Sequence, residues 1–331
     1  MKSIIGIGNA LTDILALLPD DSLLKQYKLP MGSMQWVDEA TCNELWEKIK
    51  NLEVECVAGG SAANTITGAA ALGMRCGFIG KVGADELGGH FEQAMRDSGI
   101  APRILLGKAA SGRAMVFITP PRGERTFADY LGAAMELGPD DLKREYFEGY
   151  HYLHIEGYLV QNQALVQRVA EIGKELGLII SLDLASYNVV ESNNEFLHKI
   201  VENYIDIVFA NEAEAKAFTG KTPVEAISDM AKLCKIAVVK VGPQGSMVGS
   251  GSELFKIAPK DATPIDATGA GDLYAAGFLY SHSQGYPLNI CGEIGSLTSS
   301  KVVEVVGPKL SADKWPEVKR EIEQIVANAK I

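Results

Sequence analysis

Positive charge is scarce in this chain, with 31 Lys and Arg set against 42 Asp and Glu for a net charge of −11. Gripping a phosphate backbone takes a basic face, so no nucleic-acid partner is expected, although a local basic pocket can still hold one phosphorylated ligand. Cysteine is sparse and unpaired. Cys42, Cys56, Cys76, Cys234 and Cys291 make an odd number and include no C-x-x-C. Neither a disulfide framework nor a zinc site is expected, and a reducing cytoplasm fits that usage. No apolar run reaches the roughly 18 residues of a membrane span. The opening MKSIIGIGNALTDI lacks the continuous apolar stretch and small-residue cleavage site of a signal peptide, so a cytoplasmic protein without a membrane partner is expected. His90, His151, His154, His198 and His282 have no metal-ligand spacing and read as structural. No G-x-S-x-G element occurs, and Gly6-Ile-Gly-Asn-Ala-Leu11 lacks the third glycine of a dinucleotide fingerprint, which counts against a nucleotide-binding oxidoreductase.

What the chain does have is apolar material for a large core, with 47% hydrophobic residues and no repeat, low-complexity tract or linker. Ile4–Ile7, Ile179–Leu182, Ile207–Phe209 and Ala237–Val241 are compact apolar runs, the signature of strands buried on both faces. Leu165, Val169, Ile172 and Leu176 recur at helical spacing, as do Val318, Ile322, Ile325 and Ala329. Repeated strand-then-helix order implies an α/β fold with a mostly parallel sheet and helices on both faces. Residues 11–37 and 105–132 break that rhythm. They carry PDDS, KLPMGS and PPRGERTF with β-like pieces such as Ala114–Thr119. Two β excursions from an α/β body can pair into a small accessory sheet that covers a site. The expected division is a main domain of 1–10, 38–104 and 133–331, and a lid of 11–37 and 105–132.

The strongest local signal is Asp266-Ala-Thr268-Gly269-Ala270-Gly271-Asp272, followed by a good helical sequence. Small residues at a helix start let backbone N–H groups converge where the helix dipole is positive, so an anion is attracted. Asp272 at that edge can take a proton from a hydroxyl while the N–H groups hold the charge of a moving phosphoryl. A first-turn aspartate that merely answers the dipole is the plain alternative. Gly59-Gly60-Ser61-Ala-Ala-Asn64 bends out of Val54–Val57 into a helix. The glycines allow close ligand approach and Asn64 can meet a sugar hydroxyl, or Ser61 simply caps the helix. Asp13 can hold vicinal hydroxyls or be a turn residue. Asn211-Glu-Ala-Glu214 leaves the strand Ile207–Ala210; Asn211 can cap a helix, or join Glu214 beside magnesium-bound water at nucleotide phosphates. Gly80–Gly88 reads as turn chemistry. The run ending Gly220-Lys221-Thr222 fails as a P-loop, because Ala215 replaces the first glycine and no strand leads into it.

GGSAAN at 59–64, GKVGADELG at 80–88, NEAE at 211–214 and DATGAGD at 266–272, in this order and spacing, resemble the ribokinase-type (PfkB) carbohydrate and nucleoside kinase family over nearly the whole chain. The resemblance implies a three-layer α/β/α fold with a small β lid, ATP as donor and Mg²⁺ as required ion. It implies Asp272 as the base with Gly269, Ala270 and Gly271 as the anion hole. Asp13, Gly59, Gly60 and Asn64 then meet the substrate, and Asn211, Glu214, Lys240, Gly242, Gly245 and Thr268 meet the nucleotide, with Glu214 reaching magnesium through water. Lys240 departs from the threonine many members carry, and Ser296–Val305 falls in the adenine pocket. GNALTDI and MGSMQWVD are similar to the adenosine kinase branch. The acceptor stays open between a nucleoside and a sugar such as fructose, ribose or a ketodeoxy sugar acid, and a binding protein without turnover is the other class. Trp36, Phe127 and Tyr130 are candidates to stack on a purine. A homodimer is compatible with the family, whose lids act as dimer surfaces or as covers.

Overall fold

The computed structural model describes residues 2–119 and 124–329. Among these, the strands in chain order are β1 (Ser3–Ile7), β2 (Leu11–Leu17), β3 (Met34–Trp36), β4 (Val54–Gly59), β5 (Arg75–Val82), β6 (Ile100–Leu106) and β7 (Gly112–Thr119). They continue with β8 (Glu124–Tyr130), β9 (Tyr152–Glu156), β10 (Ile179–Asp183), β11 (Ile207–Asn211), β12 (Ile236–Lys240), β13 (Ser246–Ser250) and β14 (Glu253–Ile257).

Nine strands form one sheet in the order β14-β13-β12-β11-β10-β9-β1-β5-β6. It is parallel from β12 to β6 and antiparallel where β13 and β14 add at one edge. The four apolar runs read from sequence are β1, β10, β11 and β12, their ends within two residues of expectation. Alternate side chains fill two cores. Ile5, Ile7, Ile155, Leu182 and Val208 meet Leu165, Val169 and Ile200 from helices Gln163–Glu175 and Asn194–Tyr204. Ile4, Phe78, Phe209 and Val238 meet Ile66, Phe91 and Phe278 from helices Ser61–Leu72, Glu86–Asp97 and Ala270–Ser283 on the other face. Helix Trp315–Asn328 buries Val318 and Ile322, as its spacing requires. No helix among the described residues is long and apolar enough to cross a membrane.

The second sheet runs β3-β8-β7-β2-β4. It includes β4, which the expected boundaries left in the main body, because β4 pairs antiparallel with β2 from Leu11↔Gly59 to Ala16↔Val54. Helix Glu39–Ile49 goes with it, burying Cys42, Leu45 and Ile49 against Ile14, Met115 and Phe117. Leu105 and Leu106, expected in the lid, end β6 in the large sheet. The turn expected at Pro120–Gly123 lies outside the described residues.

Register divides this second sheet into two faces. Ile14, Ala16, Met115, Phe117 and Ala128 point under the helices. Asp13, Ala114 and Asp129 are paired across three strands on the opposite face, with Val116 and Phe127 one step along. Trp36 pairs with Asp129 and shares that face, 46% exposed. Tyr130 does not. One residue beyond Asp129, it projects to the helix side, where its hydroxyl donates to Glu39 and its ring lies under the Arg113 guanidinium. Strand periodicity of two removes Tyr130 from the stacking candidates.

Candidate active site

A cleft of about 710 Å³ is lined by the inner face of the small sheet and by the carboxyl ends of the large sheet's strands. In open parallel sheets ligands bind at that end. Here four neighbouring strands close on polar residues: Glu156 ends β9, Asp183 β10, Asn211 β11 and Lys240 β12.

The loop before helix Ala270–Ser283 is held by Asp266. Its Oδ1 accepts from the Thr268 amide (3.0 Å) and hydroxyl (2.8 Å), and its Oδ2 from the Gly307 amide (2.7 Å). Arg125, reaching over from β8, pairs with the same carboxylate at 2.9 Å. Gly269 turns the chain at φ 76°, where a side chain would also strike Pro308. The Ala270 amide donates to Ala267 O at 3.2 Å. Gly271 and Asp272 follow as the second and third helical residues, whose amides have no acceptor within a helix.

Asp272 is held by side chains from a helix start more than 200 residues away in sequence. Ser61 Oγ donates to its Oδ1 at 2.7 Å and Asn64 Nδ2 to its Oδ2 at 3.0 Å. Ser61 therefore caps nothing: helix Ser61–Leu72 has no side-chain cap, and the hydroxyl crosses to the other helix. Burial pushes the Asp272 carboxyl up to about 6, against the pull of those two donors. Gly59 and Gly60 have separate reasons to lack side chains. At Gly59 a Cβ would come within 2.1 Å of Asp13 Oδ1, and at Gly60 (φ 98°) within 2.2 Å of Asn9 O. The double glycine thus seats Asp13 and Asn9 against the start of the helix that holds Asp272.

Asp13 is pushed up to about 7 by burial, opposed by Lys309 and Arg125 and reinforced by Asp272. Lys309 donates to Ala58 O, and burial brings its ammonium down to about 8. Glu156, fully buried, accepts from Asn9 Nδ2 (2.7 Å) and the Ala62 amide (3.0 Å), and burial raises it to about 7.

At the other end of the cleft Lys240 Nζ bonds Asp183 Oδ2 at 3.0 Å and lies 3.0 Å from where a Cβ on Gly271 would stand. Burial disfavours this ammonium, yet Asp183, Glu214 and Asp272 together hold it above its ordinary range. Asn211 and Glu214 form a reciprocal cap. Glu214 N donates to Asn211 Oδ1, while Asn211 N and Nδ2 donate back to the carboxylate at 2.7 and 2.6 Å. Burial and Asp183 push Glu214 up to about 7. The cap and the cleft-facing position hold for the same residues. Gly242, Gly245 and Thr268 line the cleft, as do Ser296 and Ser299 of the expected adenine segment. Asp85 of GKVGADELG caps its own helix at Gly88, which is turn chemistry, and also ties that turn to Ser111 just before β7.

The described residues contain no cluster of three His, Cys, Asp or Glu side chains arranged to hold a metal. Two raised or paired carboxylates beside one lysine fit a magnesium ion that arrives with phosphates, since Mg²⁺ in such sites takes one or two carboxylates and completes its shell from substrate and water.

Asp183, Glu156, Arg125, Lys309 and Asp129 were not singled out from sequence. For Asp183 and Glu156 a signal was present, a polar residue closing an apolar run. For the other three the sequence has none, because Asp129 meets the cleft, and Arg125 and Lys309 meet Asp266 and Ala58, through packing between distant segments.

An anion-binding helix start with a hydrogen-bonded carboxylate, set at the carboxyl ends of a parallel sheet beneath a second small sheet, is the architecture of an α/β phosphotransferase. The chain is a member of the pfkB family of carbohydrate kinases, whose family model matches residues 34–315. Its fold is ribokinase-like. It is similar to the adenosine kinase of Sinorhizobium meliloti, with 31% identity, a TM-score of 0.86, and 98% of this chain and 99% of that one covered. A probable sugar kinase protein from Rhizobium etli CFN 42 superposes with a TM-score of 0.87 at 29% identity, with 98% of both chains covered. The adenosine kinase of Schizophyllum commune is 26% identical over 94% of this chain and 97% of its own. The protein is a kinase acting on a nucleoside or a sugar.

Proposed function

We propose that the protein transfers the γ-phosphoryl of ATP to a hydroxyl of an adenosine-type nucleoside. The observation that carries the reading is Asp272, fixed by Ser61 and Asn64 at a helix start and facing the same cleft as Asp13. The acceptor hydroxyl lies between Asp272 and the incoming phosphoryl. Its oxygen bonds to the γ-phosphorus, its proton passes to Asp272, and the bond from phosphorus to the ADP oxygen breaks. The helix start at Gly269, Ala270 and Gly271 stabilises the equatorial oxygens, with Lys240 beside Gly271 as a counter-charge. Asp13, Gly59, Gly60 and Asn64 orient the sugar hydroxyls. Asn211, Glu214, Gly242, Gly245 and Thr268 serve the phosphates, and Ser296–Val305 the adenine of ATP. Glu214 would hold magnesium through water, and the ion would supply neutralisation of the phosphate charge.

The small sheet is the lid. A kinase gains from closing over its acceptor, since an open site wastes ATP on water. Support for a base in the acceptor comes from Phe127 and Trp36, which share the face of Asp13. A coupled ADP-release screen over adenosine, ribose, fructose and ketodeoxy sugar acids, with and without chelator, tests the proposal. Adenosine should give the highest kcat/KM, with turnover abolished by chelation. A clear preference for a plain sugar would overturn the nucleoside reading and leave the kinase.

A further inference from the structure

We propose that Asp129 is a specificity-determining residue that hydrogen-bonds the end of the acceptor farthest from the phosphorylated hydroxyl. The inference rests on reading this cleft as the acceptor site. Asp129 lies on β8, across β7 from Asp13, with the methyl group of Ala114 between them. It is 8% exposed, it lines the cleft, and its Oδ1 is buried without a hydrogen-bond partner among the described residues. Leaving a buried oxygen unsatisfied is costly, and native structures tolerate it where something outside the chain supplies the partner.

Among the described residues no charge answers it. Arg113 stands one residue from Ala114 but projects to the helix side, toward Asn43 and the Tyr130 ring. Arg125, two strand steps from Asp129 along β8, is committed to Asp266. Burial, reinforced by the Asp13 carboxyl, raises the Asp129 carboxyl to about 8. A carboxyl kept neutral near pH 7 both donates and accepts.

This geometry limits the acceptor. Two strand spacings separate the backbones of Asp13 and Asp129, about 10 Å. A ligand that meets both needs polar groups at well-separated points, with a flat apolar stretch to lie over Ala114 and against Phe127. A nucleoside has that form, with ribosyl hydroxyls at one end and a base amine at the other.

The test compares D129A, D129L and D129N with the unmutated enzyme, using whichever acceptor that enzyme turns over fastest. Expected for D129A and D129L is an acceptor KM raised about ten- to hundredfold. Their kcat should stay within threefold, KM for ATP should not change, and the unliganded Tm should be equal or higher, because an unsatisfied group has gone. D129N, which still donates and accepts, should keep acceptor KM within threefold. A structural role would lower Tm and depress kcat and ATP binding together. That pattern overturns the proposal, as does an acceptor KM within twofold for D129A or D129L, or failure of both to fold; if only one folds, its KM decides. The nucleoside reading fails separately, through the acceptor preference of the unmutated enzyme.

Discussion

The two walls of the cleft are finished to different degrees. On the large-sheet side the charged groups have their partners: Asp272 holds two donors, Asp183 has Lys240, Glu214 has Asn211, and Glu156 has Asn9 and Ala62, although the neutral Asn64 Oδ1 beside Asp272 is also buried without a partner among the described residues. On the small-sheet side Asp129 presents a bare oxygen, and Trp36 leaves nearly half its surface to solvent. The contrast follows the chemistry. Phosphoryl transfer is alike for any acceptor, so its groups can be fixed in advance, and preorganisation is what makes them effective. Recognition is completed by a ligand, so its wall carries unmet hydrogen-bonding capacity.

The largest effect expected from breaking this contrast is on the finished wall. Asp272→Asn keeps the shape and the ATP site but removes the proton acceptor, and kcat should fall roughly 10²- to 10⁴-fold with ATP affinity unchanged in a binding titration. A kcat near that of the unmutated enzyme would remove Asp272 from the mechanism.

Next comes the donor that tunes it. Ser61 lowers the Asp272 pKa, so Ser61→Ala should move it upward from about 6. The acid limb of kcat/KM should then shift toward neutral pH, with a loss of about tenfold at pH 6 and less at pH 8. A uniform loss across the profile would mean that Ser61 acts on packing alone.

On the open wall, Phe127→Ala should raise acceptor KM about 2- to 12-fold with KM for ATP unchanged. Tyr130→Ala is the matched control. It lies on the helix side of the same strand, so it should lower Tm and leave acceptor KM alone. Reversed outcomes would show that the register-based division of faces misplaces the acceptor.

The smallest effect is a stability difference with pH. Asp13 and Asp129 titrate in the folded protein at about 7 and about 8, well above ordinary carboxylates. The folded state therefore binds more protons than the unfolded one from the ordinary carboxylate range, about 4, up to these values, and Glu156 and Glu214, at about 7, add to the same effect. Their contribution is full at low pH and is lost as pH rises through 7 and 8. The unliganded Tm should be lower at pH 8.5 than at pH 6.5 by about 2 °C, and D129N should reduce the difference. Equal Tm values in differential scanning fluorimetry would count against the raised carboxyls.

Local sequence determined a good deal. Apolar runs such as Ile207–Phe209 can satisfy themselves only inside a sheet covered on both faces, so the parallel core was legible. DATGAGD and GGSAAN were legible too, because a helix start or a tight bend imposes its demands within a few residues. Tertiary structure alone decided the rest. Whether Val54–Gly59 joins the large or the small sheet is a matter of pairing with β2, and a strand reads the same in either. That Ser61 and Asn64 grip Asp272, more than 200 residues on, follows from two helices crossing at their starts. That Phe127 and Asp129 face the cleft while Tyr130 turns away is set by register, and a shift of one residue would reverse it. Short-range geometry is written in neighbouring residues, whereas the meeting of distant side chains depends on how the whole core packs.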